Sequence, residues 1–477
     1  MSQVAALSDQ NGNGNGKPQP AVLPLDAAET GSQSDTPFDD ASVPAGRAPT
    51  IDTDAAGVTI EIRDGAESEL WDPADYEAGP LAPSFSEGGG GLTFPEYEGV
   101  KSTMPVSMVP VNPYLKRAPP SNLPLESFDL RVIFEAGRTG FEDVKEFPIT
   151  PGTVIAGRYQ IVEHLGSATF SRAVQCLDLK HKVPVCVKVI RNSKDMLDQA
   201  MDEIKLLQLI NANADPDEKH VLQLFDYFYY KEHVFLVCEL LRDNLYDFYK
   251  FNREREEEAY FTLPRVQSVA KQVLTALEYI HSLNLLHCDL KPENILVKSY
   301  TRCEIKVIDF GNSCFTTDNL SSYVQSRCYR APEVILGCGY DGRVDIWSTG
   351  CILAELLTGH VLFANTSVAQ MMARISAILG PFPPAMLHEG RHTSHFFTKH
   401  GVIYERATDD DWERLLFYFP QRKSLKDICG SDDADFVDFL QQCLTLDHKK
   451  RPTATQLLAH AFLSKQLTPA AAPPAAA

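Results

Sequence analysis

Basic residues are scarce at the start of this 477-residue chain. Residues 1–100 contain 18 acidic side chains and only three basic ones, Lys17, Arg47 and Arg63, so they account for −15 of the net charge of −20. Nucleic-acid binding depends on clustered Lys and Arg that neutralise phosphates. Because the rest of the chain is near neutral, the sequence argues against a large nucleic-acid-binding face.

Paired cysteine spacing and long apolar runs are also absent. All 11 cysteines lie between Cys176 and Cys443 without the CxxC pairs of a zinc site, which indicates free thiols in a reducing compartment. No run of about 18 apolar residues is present, so we expect no membrane span. The N-terminus lacks the features of a signal or transit peptide. The expected location is therefore the cytoplasm, with access to the nucleus left open.

Proline and small residues are concentrated near the two ends. Residues 1–125 hold 16 of the 31 prolines and the runs NGNGNG and GGGG, a composition that buries too little apolar surface to offset the entropy of ordering. We predict a disordered acidic region there. Composition favours a solvated leader over a tail that binds partners, although the second alternative stays open. Residues 465–477 are predicted to form a second disordered tail.

Between these tails, strand-like and helix-like patterns alternate. Residues 159–165, 176–179, 183–190 and 234–239 are short and β-branched, as strands are. Leu197, Met201, Ile204, Leu207 and Ile210 recur at helical spacing, and helical patterns dominate beyond Leu263. The sequence predicts an α+β fold with a small β-rich lobe at 158–241 and a large helical lobe at 242–464.

A glycine-containing segment lies between the first two predicted strands. Residues 165–174 read LGSATFSRAV and match the pattern GxGxxGxV only at its first glycine, Gly166. Glycines in such a loop let backbone N–H groups approach phosphates, whereas Ala168 and Ser171 place side chains in that space. Alone, this segment favours an ordinary hairpin.

Charged residues farther along form an ordered series. Lys188 lies on the third predicted strand, and Glu203 follows 15 residues later within the predicted helix. A Lys–Glu pair of this kind holds an ammonium group against the phosphates of ATP. The segment HCDLKPEN then places Asp289 five residues before Asn294. This spacing suits a carboxylate near a substrate hydroxyl and an amide oxygen on Mg²⁺.

Three further motifs complete the series. An apolar strand leads to Asp309 in the sequence DFG, where a carboxylate would chelate Mg²⁺. The sequence APE contains Glu333, for which Arg451 is a candidate partner, and DIWSTG opens a buried helix at Asp345. It is far less plausible that a structural protein contains all these motifs by chance than that the chain is an enzyme.

These motifs together resemble those of eukaryotic protein kinases from Arg158 to about Leu463. HCDLKPEN, DFGNSC and YVQSRCYRAPEVILG resemble the DYRK family of the CMGC group, including Cys288 in place of the usual Arg. The segments RTGFE and FPITPGTVIAGRYQ resemble the plant and algal branch of that family. Residues 126–157 then correspond to a family-type N-terminal extension, and residues 380–425 to the CMGC insertion.

The resemblance implies a bilobal kinase that uses ATP and Mg²⁺ to phosphorylate Ser or Thr in protein substrates. The implied catalytic residues are Asp289, Lys291, Lys188 and Glu203, and the implied Mg²⁺ ligands are Asn294 and Asp309. The implied ATP contacts are Gly166, Ser167, Ala168, Val174, Lys188, Glu239 and Leu241. Cys238 occupies the gatekeeper position, where many relatives have a bulky aromatic residue.

The resemblance also implies regulation and substrate preference. Tyr323 matches the autophosphorylated position of the family, and Arg327 and Arg330 would anchor its phosphate. Family members often favour proline after the target residue and a basic residue before it; Arg330 and Glu293 match the positions associated with these preferences. Cys288 and Cys314 are two thiols that such a fold would bring close together, although a pair of unlinked half-buried residues is the simpler interpretation.

Two alternatives remain open. Ala168 and Ser171 weaken the glycine-rich loop, which allows a pseudokinase scaffold without turnover, although the intact charged residues oppose this reading. In the other, the acidic N-terminal region binds partners and is the functional part. The sequence leaves the oligomeric state and the physiological substrate undecided.

Overall fold

The computed structural model describes residues 127–139, 146–168, 170–254, 259–318, 320–321, 323–409 and 412–467, and the backbone of the strand Thr59–Gly65. The predicted tails at 1–125 and 465–477 otherwise lie outside the described residues, apart from residues 465–467. Thr59–Gly65 (β1) requires a correction, because it pairs in parallel with a strand of the insert, Trp412–Pro420. Its sequence TIEIRDG alternates isoleucine with polar residues, a strand pattern that the overall composition of the segment conceals.

A seven-stranded sheet forms the small lobe. Its strands are Arg131–Ile133 (β2), Val154–Ile155 (β3), Tyr159–Ser167 (β4), Ser171–Asp178 (β5), Val183–Ile190 (β6), Leu224–Tyr230 (β7) and His233–Glu239 (β8). They lie in the order β2-β7-β8-β6-β5-β4-β3, antiparallel except for β2 with β7. The strands predicted at 159–165, 183–190 and 234–239 are confirmed, whereas the second strand begins at Ser171, earlier than predicted.

The sheet has two different faces because side chains alternate along each strand. Val174, Val187 and Phe235 belong to an upper core within the small lobe. Lys188 alternates with Val187 and therefore lies on the opposite face. There Leu236, its cross-strand neighbour, joins the core that continues into the large lobe.

One helix packs on the small-lobe sheet. Helix α1, Lys194–Asn213, begins after Ser193, whose side chain accepts a backbone hydrogen bond from the first turn. Leu207 and Ile210 are fully buried on one face, as the helical spacing predicts. Glu203 is buried on the same helix, and a buried carboxylate requires a partner.

Helices dominate the large lobe, and the predicted α+β bilobal fold is confirmed. The helices are Leu245–Glu254 (α2), Leu263–Ser282 (α3), Pro332–Leu336 (α4), Arg343–Thr358 (α5), Val368–Leu379 (α6), Pro384–Glu389 (α7), Thr393–Phe396 (α8), Leu425–Cys429 (α9), Ala434–Cys443 (α10), Ala454–Leu458 (α11) and Ala461–Ser464 (α12). Helix α5 is buried along most of its length, including Asp345. Within the described ranges, no helix is long and apolar enough to cross a bilayer.

Further strands, most of them short, lie between these helices. They are Leu285–Leu286 (β9), Ile295–Ser299 (β10), Glu304–Val307 (β11), Cys314–Phe315 (β12), Ile403–Asp409 (β13) and Trp412–Pro420 (β14). Strand β9 pairs with β12 and β10 pairs with β11, and these pairs flank the motifs at 287–294 and 309–311. The hairpin β13–β14 lies in the predicted insert at 380–425, for which the sequence predicts no strands.

Candidate active site

A buried ion pair links the small-lobe sheet to helix α1. The Lys188 Nζ atom lies 2.7 Å and 2.8 Å from the two carboxylate oxygens of Glu203, and 3.5 Å from Asp309 Oδ1. Burial alone would lower the pKa of Lys188, but the charges of Glu203 and Asp309 more than reverse this effect and raise it above its ordinary value. The ammonium group is therefore held charged where the small lobe meets the Asp309 loop of the large lobe, at the cleft between the lobes.

Asp289 is the most densely hydrogen-bonded carboxylate of the loop after α3. Its Oδ1 atom accepts a hydrogen bond of 2.9 Å from the Ser326 hydroxyl, and its Oδ2 atom accepts one of 2.9 Å from Lys291 Nζ. The Asn294 amide donates through Nδ2 to the Asp289 backbone carbonyl at 2.9 Å. The predicted residues Asp289, Lys291 and Asn294 are thus brought together, and Ser326 is a member that the sequence reading did not include.

The loop that carries Asp289 is held in place by hydrogen bonds to a buried carboxylate of helix α5. The fully buried Asp345 carboxylate accepts hydrogen bonds from the backbone N–H groups of His287 and Cys288 and bonds with His281 Nε2. Burial pushes the pKa of Asp345 upward, but the bond from His281 and the other donors lower it below its ordinary value. A charged Asp345 therefore fixes the backbone just before Asp289.

Three non-glycine residues near the site have left-handed backbone conformations. Cys288 has φ +62°, Asp309 has φ +63° and Gln325 has φ +68°. Such conformations cost of order 1–3 kcal/mol each and persist where the surroundings enforce them, often at active sites. Each of the three loops that carry the candidate site thus contains a residue in a strained backbone conformation.

Asn294 and Asp309 suit a hard divalent cation. The Asn294 amide uses its Nδ2 atom to hold the Asp289 loop, which leaves the Oδ1 oxygen as its acceptor. Mg²⁺ prefers oxygen ligands and is commonly held by one or two carboxylates together with substrate phosphates. The donor set of this site therefore fits Mg²⁺.

These loops, strands and helices can be compared with known proteins. A family model for the protein kinase domain matches residues 159–463, which is more than half of the chain. The chain belongs to the protein kinase family.

Similar curated proteins indicate which family of protein kinases this chain belongs to. It is 38% identical over 329 residues to the "Probable serine/threonine-protein kinase dyrk2" of Dictyostelium discoideum, covering 69% of this chain and 35% of the relative. It is 36% identical over 317 residues to the human "Dual specificity tyrosine-phosphorylation-regulated kinase 4", covering 66% and 59% of the two chains. It is also 36% identical over 328 residues to the "DYRK-family kinase pom1" of Schizosaccharomyces pombe, covering 68% and 29%.

The resemblance to the DYRK family is therefore confirmed, while the plant and algal branch stays a prediction. The matched region spans between 29% and 59% of the length of these three relatives. The kinase domain is common to all of them, whereas most of the length of two of them lies outside the match.

The glycine-rich loop of this kinase forms a hairpin between β4 and β5 despite its substitutions. The Ala168 backbone N–H donates to the Ser171 carbonyl at 2.9 Å. Gly166 and Ser167 end strand β4. The hairpin shows that one glycine suffices for this turn.

The prediction that Val174 contacts ATP needs correction. Val174 is fully buried in the upper core of the small lobe, on the side of the sheet opposite Lys188. Ala173 pairs directly with Lys188 across strands β5 and β6 and shares its face. The pattern GxGxxGxV counted from Gly166 also ends at Ala173, so Ala173, and not Val174, is the candidate for this ATP contact.

The hinge of this kinase follows strand β8. Glu239 and Leu241 lie at the passage into the large lobe and are half-buried. The Glu239 side chain accepts hydrogen bonds from Lys306 Nζ and from the Gln223 backbone N–H. Cys238, at the gatekeeper position, is buried and lies opposite Cys186 of the neighbouring strand β6.

The activation segment, residues 309–333, places Tyr323 beside an arginine. The Tyr323 side chain is exposed, and the Arg330 guanidinium lies 4.2 Å from the centre of its ring. Arg330 also donates to the backbone carbonyls of Val324 and Gln325 at 2.8 Å and 2.7 Å. Arg327 is exposed on the same segment. Tyr323 is therefore accessible and already lies beside a cation.

Cys288 and Cys314 approach each other between the catalytic loop and the activation segment. Their Sγ atoms are 3.7 Å apart; Cys314 is the first residue of β12, and Cys288 follows two residues after β9, with which β12 pairs. The hydrogen bond between the two thiols lowers the pKa of Cys314, which favours Cys314 as the sulfur that a peroxide would oxidise first.

We predict that mild peroxide links these two cysteines. Peroxide would convert the Cys314 thiolate to a sulfenic acid, and the Cys288 thiol would then displace water to form the disulfide. Peptide mapping by mass spectrometry should detect a Cys288–Cys314 linkage that is absent in Cys314→Ser. No linkage and unchanged activity after peroxide would support two unlinked thiols instead.

Proposed function

We propose that this chain is an active, ATP-dependent Ser/Thr kinase that is proline-directed and autophosphorylates Tyr323. The observation that carries the proposal is the bonded set around Asp289, formed together with the Lys188–Glu203 pair. The names of the relatives, which include serine/threonine-protein and dual specificity kinases, support it.

Each residue of the set has a chemical task in this proposal. Asp289 orients the hydroxyl group of the target residue and accepts its proton, while Lys291 stabilises negative charge beside it. Asn294 and Asp309 would hold Mg²⁺, which neutralises phosphate charge when bound. Lys188, fixed by Glu203, would hold the ATP phosphates.

The backbone at Gln325 supports a preference for proline after the target residue. Its left-handed conformation turns the carbonyl, which accepts a 2.7 Å hydrogen bond from the Arg330 guanidinium. That carbonyl therefore already accepts a hydrogen bond. It does not accept one from the backbone N–H of the substrate residue that follows the target. A substrate residue with an N–H group would leave the group unpaired, whereas proline has none.

A pair of acidic residues supports a preference for a basic residue before the target. Glu293 is exposed in the loop that carries Asp289, and its charge acts on Glu355 of helix α5. The Glu355 carboxylate accepts a 2.8 Å hydrogen bond from the Tyr329 hydroxyl in the activation segment. We assign the upstream basic side chain to this pair.

The pair makes a prediction about pH. Burial raises the pKa of Glu355 to about 7; the bond from Tyr329 opposes the rise and the charge of Glu293 adds to it. Because its pKa is raised, Glu355 is charged above about pH 7 and becomes neutral as the pH falls. The KM of an Arg-containing peptide should therefore rise about threefold to tenfold between about pH 8 and about pH 6.

Two comparisons make this pH test specific. A matched peptide with Ala in place of the Arg should keep its KM over the same range, since it has no charge for Glu355 to attract. Glu355→Gln should remove the difference in pH response between the two peptides. Equal pH responses of the two peptides in the wild-type enzyme would contradict the assignment.

Autophosphorylation of Tyr323 is the regulatory part of the proposal. A phosphotyrosine carries about −1.5 to −2 charge at neutral pH. Arg330 already contacts the Tyr323 ring, and Arg327 is exposed nearby, so two guanidinium groups are available to the phosphate. Because Cys288 replaces the Arg that usually assists a loop phosphate, these two arginines would anchor the segment.

Expression in bacteria that lack tyrosine kinases tests this part. Wild-type protein should carry phosphate at Tyr323, detected by mass spectrometry, and Asp289→Asn should not. Tyr329→Phe should keep the phosphate, because the Tyr329 ring is buried. Phosphate at Tyr323 in the Asp289→Asn protein, or none in the active enzyme, would contradict self-modification.

The pseudokinase alternative rests on Ala168 and Ser171 in the glycine-rich loop. It predicts nucleotide binding without transfer, so the transfer of labelled phosphate from ATP to a peptide decides between the two functions. We propose that the acidic region at 1–125 binds partners of basic character. We also propose that the protein acts in the cytoplasm. Deletion of that region should leave peptide phosphorylation intact if the kinase domain is the functional part.

A further inference from the structure

Four charged side chains form a cluster behind the hinge, away from the residues that bind phosphate. The hinge cluster consists of Asp217, Glu239, Lys298 and Lys306. Lys306 Nζ lies 2.5 Å from Glu239 Oε1 and 2.6 Å from Asp217 Oδ1, and Lys298 Nζ lies 2.5 Å from Asp217 Oδ1. Two anions and two cations thus balance within the cluster.

Lys306 is the buried member of the hinge cluster. Its side chain is 1% exposed, whereas that of Lys298 is 33% exposed. A buried ammonium group is tolerated only when anions and hydrogen bonds replace water. The Glu239 carboxylate, 12% exposed, is the more buried of its two partners. Lys306 and Glu239 therefore depend on each other more than the outer pair does.

The cluster joins three parts of the kinase. Glu239 ends strand β8 at the hinge, Lys306 lies on β11 three residues before Asp309, and Asp217 lies in the loop between α1 and β7. Backbone bonds follow the same path. The Gln223 N–H donates to the Glu239 carboxylate at 2.8 Å, and the Val307 N–H donates to the His220 carbonyl at 2.8 Å. Lys306 thus bonds to the hinge from the strand that leads to Asp309.

We propose that Lys306 is a positioning residue for the adenine end of the ATP site. By holding the Glu239 carboxylate, it sets the course of the backbone between Glu239 and Leu241, whose polar groups would meet the base. It touches neither phosphates nor the target hydroxyl, so it acts on nucleotide affinity and not on transfer. The inference rests on the proposed function in one respect, namely that ATP occupies this cleft.

Lys306→Met should weaken nucleotide binding selectively. The substitution keeps the length of the side chain but leaves the buried Glu239 carboxylate with only the Gln223 N–H, so the carboxylate turns toward water and moves the hinge. We expect KM for ATP to rise about tenfold, equivalent to about 1.4 kcal/mol, while kcat and the peptide KM change less than about twofold.

Two further variants separate positioning from general destabilisation. Lys298→Met makes the same substitution in the same cluster on its exposed side and should leave KM for ATP unchanged. The double variant Lys306→Met/Glu239→Gln removes the charge that Lys306→Met leaves unpaired, so it should recover most of the ATP affinity. A merely structural role of Lys306 predicts instead that thermal stability and the peptide KM change together with the ATP affinity.

Equilibrium binding of a fluorescent ATP analogue to the full chain gives the readout, with thermal unfolding measured on the same samples. Weaker binding in Lys306→Met, recovery in the double variant and no change in Lys298→Met are expected. Unchanged affinity in Lys306→Met would overturn the inference, as would a loss of ATP affinity accompanied by an equal rise in the peptide KM and a loss of thermal stability. Wild-type protein that binds the analogue but transfers no phosphate would contradict the proposed function alone, because the comparison of affinities needs no turnover.

Discussion

Asp289→Asn should lose peptide phosphorylation by about 10²-fold to 10⁴-fold, the usual contribution of a positioned general base. The asparagine keeps the shape of the side chain and can still accept from Ser326, but it has no negative charge to orient and deprotonate the target hydroxyl. The bond from Lys291 would also lose its charged acceptor. Initial rates of phosphate transfer at saturating ATP measure the effect.

Nucleotide binding distinguishes Asp289 from the neighbouring carboxylate. Asp289→Asn should bind ATP nearly as well as the wild type, because Lys188 and Asp309 are unchanged. Asp309→Asn should weaken binding in the presence of Mg²⁺, since it removes an expected ligand of the cation. Turnover near the wild-type rate in Asp289→Asn would show that another group accepts the proton.

Arg451→Met should destabilise the large lobe by about 3–5 kcal/mol, the cost of leaving a buried charge without its partner. The Arg451 guanidinium is fully buried and forms two bonds to Glu333, 2.6 Å and 3.0 Å long, at the end of the activation segment. It also donates to the backbone carbonyls of Thr445 and Arg343. Methionine replaces none of these bonds.

Urea unfolding followed by tryptophan fluorescence measures this loss of stability, because the Arg451 Cζ atom lies 5.1 Å from the centre of the Trp347 ring. The double variant Arg451→Met/Glu333→Gln should recover part of the stability, since it leaves no unpaired charge. Lys426→Met breaks an exposed ion pair with Asp432 and should have no measurable effect. An equal effect of Arg451→Met and Lys426→Met would contradict the assigned role of the buried pair.

Motif spacing predicted the residues that meet in the centre of the site. Lys188 and Glu203 lie on a strand and a helix whose apolar patterns fix which faces are buried, and buried opposite charges must pair. The motif APE also made Arg451 a candidate partner of Glu333, and the structure contains this pair. Asp289 and Asn294 are close in sequence, so their proximity followed from the motif itself.

Contacts between distant residues without a motif were not predictable in this way. Ser326 and Asp289 are 37 residues apart and Lys306 and Glu239 are 67 apart, and no local pattern relates them. The misplacement of Val174 has another cause. Side chains alternate between the two faces of a strand, so a shift of one residue in reading the pattern moves the side chain from the cleft to the core.

Transfer of the labelled γ-phosphate from ATP to a Ser-Pro peptide tests the central claim most directly. Purified wild-type chain with Mg²⁺ should place the label on the serine, and the matched peptide with Ala after the serine should receive far less. Chelation of Mg²⁺ should abolish transfer in both cases. Wild-type protein that binds the nucleotide but leaves the peptide unlabelled would contradict an active kinase and favour the scaffold.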